Sequence, residues 1–219
     1  MKLYPAILSD SVETVQRQVD LCKKCSQIEV AQIDIVDGFF ADNITISPMN
    51  LLEIDSGELE FDLHLMVEEP MDTLLEIEAT QNKLPIRTVI AQIEKMTYQE
   101  DFIEETKKLG YKIGFSLKLY TPLDSIDDAV WNELDVVQLM GVRAGFQGQE
   151  ISQHIFDKLK LLGEKKAKNN YKFEVIVDGG VKLKNSKKLI DAGADGLAVG
   201  SALWLADDFC QKANEFVLP

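Results

Sequence analysis

Eight short apolar runs, each followed by a helical or loop-like stretch, recur along the 219-residue chain. The runs have the length and the aliphatic composition of buried strands. Eight strand–helix units in about 200 to 250 residues is the size of a (β/α)8 TIM barrel. We therefore predict that barrel, with a doubly wound open sheet as the alternative, and strands at 3–8, 28–35, 59–66, 86–93, 112–117, 135–140, 173–177 and 196–199.

No linker rich in Pro, Ser or Gly divides the chain, so we expect one domain over residues 1–219. The 23 basic and 37 acidic residues give a formal net charge of -14. A surface of this sign repels nucleic acid and anionic lipid, so we expect no nucleic acid or membrane partner. An anionic substrate must then be held by local groups.

The cysteines Cys22, Cys25 and Cys210 are an odd, sparse set that is not typical of a disulfide framework. Cys22 and Cys25 form a CxxC without the second pair that a zinc site needs, and we interpret it as an ordinary helix end. No run of about 18 apolar residues is present, and the amino terminus has no long apolar segment. We therefore predict a soluble, cytoplasmic protein with reduced thiols.

Three polar side chains stand where apolar runs end: Asp34 in QIDIVDGFF, His64 in FDLHLMV and Asp178 in VIVDGG. A carboxylate or an imidazole is costly at a buried strand end unless it is used there. Each of them alone is explained by a satisfied polar cap, but the three together indicate one chemical centre. Asp34 and Asp178 precede loops and so lie at carboxyl strand ends, where barrel active sites form.

Carboxylate and imidazole groups suit a divalent metal such as zinc, manganese or iron. Two carboxylates facing each other across a small substrate also suit proton transfer on both of its sides. Gln32 shares the strand face of Asp34, one pleat below it.

Two glycine turns follow the last two predicted strands. Gly179 and Gly180 come after the seventh, and Gly200 and Ser201 come after the eighth and begin a helix. Exposed backbone N–H groups at such turns form an anion site, and phosphate binding after strands seven and eight is common in barrels. The alternative is that these glycines only make tight turns.

A third glycine-rich segment follows the sixth predicted strand: Gly145, Phe146, Gln147 and Gly148. It is either a lid that folds over a ligand or an ordinary surface turn.

Five segments together make the chain resemble the ribulose-phosphate 3-epimerases, a family of (β/α)8 barrels, over essentially its whole length. They are IDIVDGFFADNITISP, DLHLMVEEP, MGVRAGFQGQ, VIVDGGV and AVGSALW. The resemblance implies that Asp34 and Asp178 move a proton at C3 from opposite faces of a ketopentose phosphate, which interconverts D-ribulose 5-phosphate and D-xylulose 5-phosphate. It also implies a divalent metal, commonly zinc, held by both aspartates and His64, that stabilises the enediolate.

The resemblance implies further substrate contacts. The phosphate is held by Gly179, Gly180, Gly200 and Ser201, and residues 145–148 close over the sugar. His64 and two methionines, Met66 and Met140, lie near the substrate. Barrels of this kind often associate, so we also expect a homo-oligomer.

Several positions depart from the family pattern. Gln32 stands in place of the first metal histidine, Ala6 in place of an early serine, and Gln92 in place of the histidine of the fourth strand. Gln32 can still ligate through its amide oxygen, which is a weaker donor to zinc than imidazole but is acceptable to harder metals. Manganese, iron, cobalt and magnesium are therefore alternatives to zinc. In the lid, Ala144 replaces a proline and Gln147 a glycine.

Two other functions stay open. The altered lid is compatible with a six-carbon ketose phosphate of the allulose 6-phosphate type. The departures at Gln32, Ala6, Gln92 and Gln147 are compatible with a barrel that binds a sugar phosphate without epimerising it. Against that second alternative, both aspartates and the phosphate turns are retained.

Overall fold

The computed structural model describes residues 1–143 and 148–217 and shows a closed barrel of eight parallel strands in chain order. The pairing runs from β1 with β2 round to β8 with β1. This confirms the predicted barrel and excludes the open sheet. Each predicted strand end lies within two residues of an observed one. The strands are β1 (Lys2–Ile7), β2 (Val30–Val36), β3 (Glu60–Met66), β4 (Ile86–Gln92), β5 (Lys112–Leu117), β6 (Val136–Met140), β7 (Glu174–Asp178) and β8 (Gly196–Val199).

Helices connect most of these strands. Short 3-10 helices at Pro48–Glu53, Ile93–Lys95, Leu123–Ser125 and Trp131–Glu133 lie in the remaining connections. No helix in the described ranges is long and apolar enough to cross a membrane. The helices are α1 (Val12–Lys23), α2 (Pro70–Ala79), α3 (Gln99–Lys108), α4 (His154–Asn169), α5 (Leu183–Asp191), α6 (Ser201–Trp204) and α7 (Phe209–Val217).

Alternation along the strands builds two apolar cores. The larger core contains one strand face, such as Ile33, Leu63 and Phe115, and packs under the helices. A smaller cluster comes from the other strand face and fills the inside of the barrel. The interior is therefore packed rather than open, as in other barrels of this class. The smaller cluster is Tyr4, Ala6, Val30, Ile90, Val136, Ile176 and Ala198.

A polar network closes the amino-terminal end of the barrel. Arg87 Nε donates to Asp62 Oδ1 at 2.8 Å, and its Nη2 donates to Asp62 Oδ2. The Arg87 guanidinium lies over the ring of Tyr4, whose hydroxyl donates to Glu174 Oε1 at 2.7 Å. Since these groups satisfy one another at the amino end, the carboxyl end of the barrel is where a ligand can enter.

A disulfide joins Cys25, just after α1, to Cys210 in α7, with Cα atoms 5.5 Å apart. The prediction of reduced thiols is therefore wrong for this pair. The spacing of the cysteines gave no signal, because the pairing depends on α1 and α7 packing together once the barrel closes. Cys22 is free and buried, so the two cysteines of the CxxC do not pair with each other.

Candidate active site

Three strands bring the predicted polar side chains to one point. Asp34 and His64 are paired residues of β2 and β3, and Asp178 ends β7. One potential ligand atom from each residue lies within 4.8 Å of those of the other two. All three residues are buried, at 6%, 0% and 7% exposure respectively. Burial excludes water from most of this centre and strengthens every electrostatic interaction within it.

Hydrogen bonds link the three side chains to two glutamines. His64 Nδ1 lies 3.1 Å from Asp34 Oδ1 and 3.2 Å from Asp178 Oδ2. Gln32 Nε2 donates to the same two oxygens at 2.9 Å each. Gln138 Nε2 on β6 donates to Asp178 Oδ2 at 3.2 Å. Asp34 is therefore held in place by groups on β2 and β3, and Asp178 by groups on β2, β3 and β6.

Gln92 supports the other side of the His64 ring. We assign its amide oxygen toward the ring, since this orientation gives each of its polar atoms a partner. The oxygen then accepts from His64 Nε2 at 2.9 Å and from Ser116 Oγ at 3.0 Å, and the nitrogen donates to Glu94 Oε2 at 2.9 Å. A proton held at Nε2 leaves Nδ1 as the atom that faces the carboxylates.

Opposing effects set the ionisation of the centre. Burial lowers the pKa of His64, but hydrogen bonds with Asp178 and Asp34 outweigh it and raise the pKa to about 9. Burial raises the pKa of Asp34, and the charge of Asp178 raises it further against the hydrogen bonds from His64 and Gln32. The group thus combines an imidazole that is readily protonated with an Asp34 carboxyl group whose ionisation is disfavoured, which suits proton transfer.

A small cavity of ≈ 50 Å³, open at its mouth, lies above this centre. Asp34 and Asp178 lie on its lining, whereas Gln32 and His64 lie beneath it. The structure brings the remaining described candidates to the same lining. These are Met66, Met140, Gly148, Gly179, Gly180, Gly200 and Ser201. The predicted lid residues Gly145, Phe146 and Gln147 lie outside the described residues.

The glycine turn after β7 needs its glycines. Gly179 and Gly180 have φ values of 89° and 71°, a backbone region that side chains rarely adopt. A Cβ on Gly180 would lie 2.7 Å from the backbone nitrogen of Ile151. The turn therefore packs directly against the backbone of Ile151, and both of its glycines lie on the cavity lining.

Sequence reasoning missed two basic residues on the cavity lining, Arg143 and Lys182. Lys182 Nζ forms an ion pair with Glu150 Oε1 at 2.6 Å. Arg143 lies within the quoted segment MGVRAGFQGQ and Lys182 directly follows VIVDGGV, so their charge in an acidic chain was the available signal. They are local groups of the kind that an anionic substrate needs here.

The donor set fits a divalent cation. Two carboxylates and an imidazole converge, and the second ring nitrogen of His64 is hydrogen-bonded to Gln92, as is usual for a metal-ligating histidine. The prediction that Gln32 is also a ligand stays a prediction, since Gln32 presents its amide nitrogen rather than its oxygen to the other three residues. It can become a fourth ligand only if the amide turns over.

Comparison with known proteins decides the family, since the sequence profile of the Ribulose-phosphate 3 epimerase family matches residues 2–204. The chain belongs to the ribulose-phosphate 3-epimerase family. It is 32% identical over 219 residues to ribulose-phosphate 3-epimerase of Bacillus subtilis, covering 98% of this chain and 97% of that protein. It is 33% identical over 213 residues to the chloroplastic ribulose-5-phosphate-3-epimerase of Arabidopsis thaliana, covering 94% and 73% respectively.

Solved structures support the fold alone. A mutant tryptophan synthase alpha-subunit from Pyrococcus furiosus superposes with a TM-score of 0.70 at 18% identity, covering 99% of this chain and 97% of that one. Membership of the epimerase family makes the protein an isomerase and implies a small sugar phosphate as substrate, so the predicted family and enzyme class are confirmed. The family is metal-dependent, and the Asp34–His64–Asp178 group could hold a metal ion, whose identity the structure does not show.

Proposed function

We propose that the protein is a 3-epimerase that interconverts D-ribulose 5-phosphate and D-xylulose 5-phosphate. The supporting observation is the position of Asp34 and Asp178, which come from β2 and β7 to the lining of one cavity beside the glycine turns. Epimerisation requires removal of a proton from one face of C3 and delivery of a proton to the other. Two separately anchored carboxyl groups meet this requirement.

In this mechanism one aspartate is ionised and takes the C3 proton, while the other is protonated and supplies one. Mutual repulsion and burial keep both from being charged at once, which agrees with the raised pKa of Asp34. The roles exchange with the direction of the reaction. A divalent cation, when held by Asp34, His64 and Asp178, supplies positive charge near the enediolate oxygen.

The other lining residues bind and orient the substrate. Backbone N–H groups at Gly179, Gly180, Gly200 and Ser201 hold the phosphate, with the charges of Arg143 and Lys182 nearby. Met66 and Met140 provide an apolar wall beside the sugar carbons.

Solvent exchange tests the proposal. The protein is incubated with ribulose 5-phosphate in deuterated water, with and without added divalent metals, and deuterium at C3 is followed by NMR. We expect exchange together with conversion to xylulose 5-phosphate. Allulose 6-phosphate is offered in parallel. Faster exchange on this six-carbon ketose phosphate would show that it, and not the pentose phosphate, is the substrate. If no exchange occurs with any metal, the result would contradict the epimerase proposal and favour a barrel that binds a sugar phosphate without epimerising it.

Single substitutions test the two carboxylates. We expect Asp34→Asn and Asp178→Asn each to lower the exchange rate by about 10²- to 10⁴-fold, the usual contribution of a positioned acid or base. Asp191→Asn is the matched control, because Asp191 is exposed at the end of α5. Exchange that survives either of the first two substitutions at the wild-type rate would remove that aspartate from the mechanism.

A further inference from the structure

The amide of Gln32 lies where the three candidate metal ligands converge. Its Nε2 is 2.9 Å from Asp34 Oδ1, 2.9 Å from Asp178 Oδ2 and 3.4 Å from His64 Nδ1. The residue is only 1% exposed. Its orientation follows from chemistry, because an amide nitrogen in this place donates to both carboxyl oxygens, whereas an amide oxygen would face at least one ionised carboxylate that only accepts hydrogen bonds.

A cation and this amide nitrogen cannot occupy the same place. Ligand atoms lie about 2.0–2.2 Å from a metal such as zinc, so a cation held by Asp34 Oδ1, Asp178 Oδ2 and His64 Nδ1 would lie against the Gln32 NH2 group, whose hydrogens carry partial positive charge. Binding must therefore move the amide. A half-turn of the amide group replaces Nε2 with Oε1, which is itself a metal ligand.

We propose that Gln32 is an amide switch that weakens zinc binding relative to manganese binding at this site. In the metal-free protein its NH2 group bridges Asp34 and Asp178, and in the metal-bound protein its Oε1 ligates the cation. This inference rests on the metal site of the proposed function but not on turnover.

Two separate effects follow from the switch. Every cation must break the two Gln32 hydrogen bonds, which lowers affinity for all metals alike. In addition, the loaded site has three oxygen-bearing side chains and one imidazole. Oxygen donors suit harder metals such as manganese and magnesium, whereas imidazole suits zinc. Replacing Gln32 with histidine therefore removes the bridge and favours zinc in particular.

Metal affinities measured without substrate test the selectivity. Wild type and Gln32→His are stripped with a chelator, and Zn²⁺ and Mn²⁺ dissociation constants are obtained by competition with a chromophoric chelator. We expect Gln32→His to bind Zn²⁺ on the order of 10- to 100-fold more tightly than wild type, with a smaller gain for Mn²⁺. Equal zinc-to-manganese ratios in the two proteins would overturn the proposed selectivity.

The switch itself has a spectroscopic signature, which is measured in the wild-type chain and needs a variant only to assign the signals. The side-chain NH2 signals of Gln32 are identified by their loss in Gln32→Leu. In the metal-free protein we expect these protons to exchange slowly with solvent, since each is hydrogen-bonded to a buried carboxylate. Saturation with Mg²⁺ or Zn²⁺ should shift the signals and remove this protection. Unchanged signals on saturation would contradict the switch.

The outcomes separate this inference from the proposed activity. A protein whose Gln32 signals respond to metal but which exchanges no C3 proton retains the switch and loses the epimerase assignment. A protein that epimerises while its Gln32 signals and metal selectivity stay unaffected retains the activity and loses the switch.

Discussion

At the scale of single residues, hydrogen bonds beneath the cavity fix the orientation of the His64 ring. Its Nδ1 faces two carboxylates, and its Nε2 donates to Gln92, which is held in turn by Ser116 and Glu94. Ring orientation is thus fixed by a chain of hydrogen bonds that extends away from the cavity. Such supporting residues commonly control how well a histidine acts as a ligand.

Gln92 is therefore a positioning residue, and removing its amide tests this role. We expect Gln92→Leu to lower kcat by about 10- to 100-fold with little change in KM, because the ring loses its acceptor while the cavity lining is unchanged. Gln92→His should recover most of the loss, since an imidazole nitrogen can accept from Nε2. Steady-state epimerisation kinetics measure both. Wild-type kcat in the leucine variant would show that His64 is held by other contacts.

The sequence predicted some of these residues and not others for a physical reason. Asp34, His64 and Asp178 are conspicuous because an ionisable group interrupts an apolar run at its end. Gln138 and Ser116 lie within VVQLM and GFSL, where one neutral polar residue is compatible with any buried strand. Their importance becomes visible only when barrel closure places them beside the ligands.

At the scale of elements, α4 is tied to the carboxyl end of β5 by a buried amine. Lys158 is 8% exposed, and its Nζ donates to the backbone oxygen of Lys118 at 2.5 Å. The backbone nitrogen of Lys118 donates to Glu94 Oε1 at 2.7 Å, so this anchor adjoins the chain of residues behind His64. Burial lowers the pKa of Lys158 to about 8, with the charge of Glu94 opposing it.

This amine makes stability depend on pH. Between pH 8 and 10.5 the unfolded chain binds more protons at Lys158 than the folded protein does, so the free energy of unfolding rises with pH across that window. From pH 7 to pH 10 we expect the free energy of unfolding of wild type to rise by about 2 kcal/mol relative to that of Lys158→Met. Denaturant titrations at each pH measure the difference.

Lys160→Met is the control for this comparison, since Lys160 is exposed on the same helix. The free energy of unfolding of Lys160→Met should change with pH in parallel with that of wild type. If the free energy of unfolding of Lys158→Met also changes with pH in parallel with that of wild type, the folded protein holds the Lys158 amine in its ordinary protonated state.

Element boundaries were predictable where local chemistry sets them. The strands are short and mostly apolar, so their ends were predicted to within two residues. The inward reach of Lys158 was not predictable, because a lysine on an amphipathic helix ordinarily extends to solvent.

At the scale of the whole molecule, the barrel followed from the eightfold alternation, whereas the covalent link between Cys25 and Cys210 did not. That link depends on which helices become neighbours after closure, which no local pattern records. A single domain, a homo-oligomer and a cytoplasmic location remain predictions. The disulfide spans 185 residues of sequence and so constrains most of the unfolded chain.

Loss of this bond should lower stability. We expect Cys210→Ser to reduce the free energy of unfolding by about 2–4 kcal/mol under oxidising conditions, because the unfolded chain regains the freedom of a long loop. Wild type treated with reductant should show the same loss of stability as Cys210→Ser. Guanidinium titrations with and without dithiothreitol measure this, and Cys22→Ala is the control because Cys22 is free. Identical midpoints for oxidised wild type and Cys210→Ser would show that the bond does not form in solution.

The same bond has a consequence for limited proteolysis. A protease that cuts once anywhere from residue 26 to residue 209 produces two polypeptides, one containing Cys25 and the other Cys210. Because these cysteines are bonded, the nicked protein should run as one band on a non-reducing gel and separate into two only after reduction.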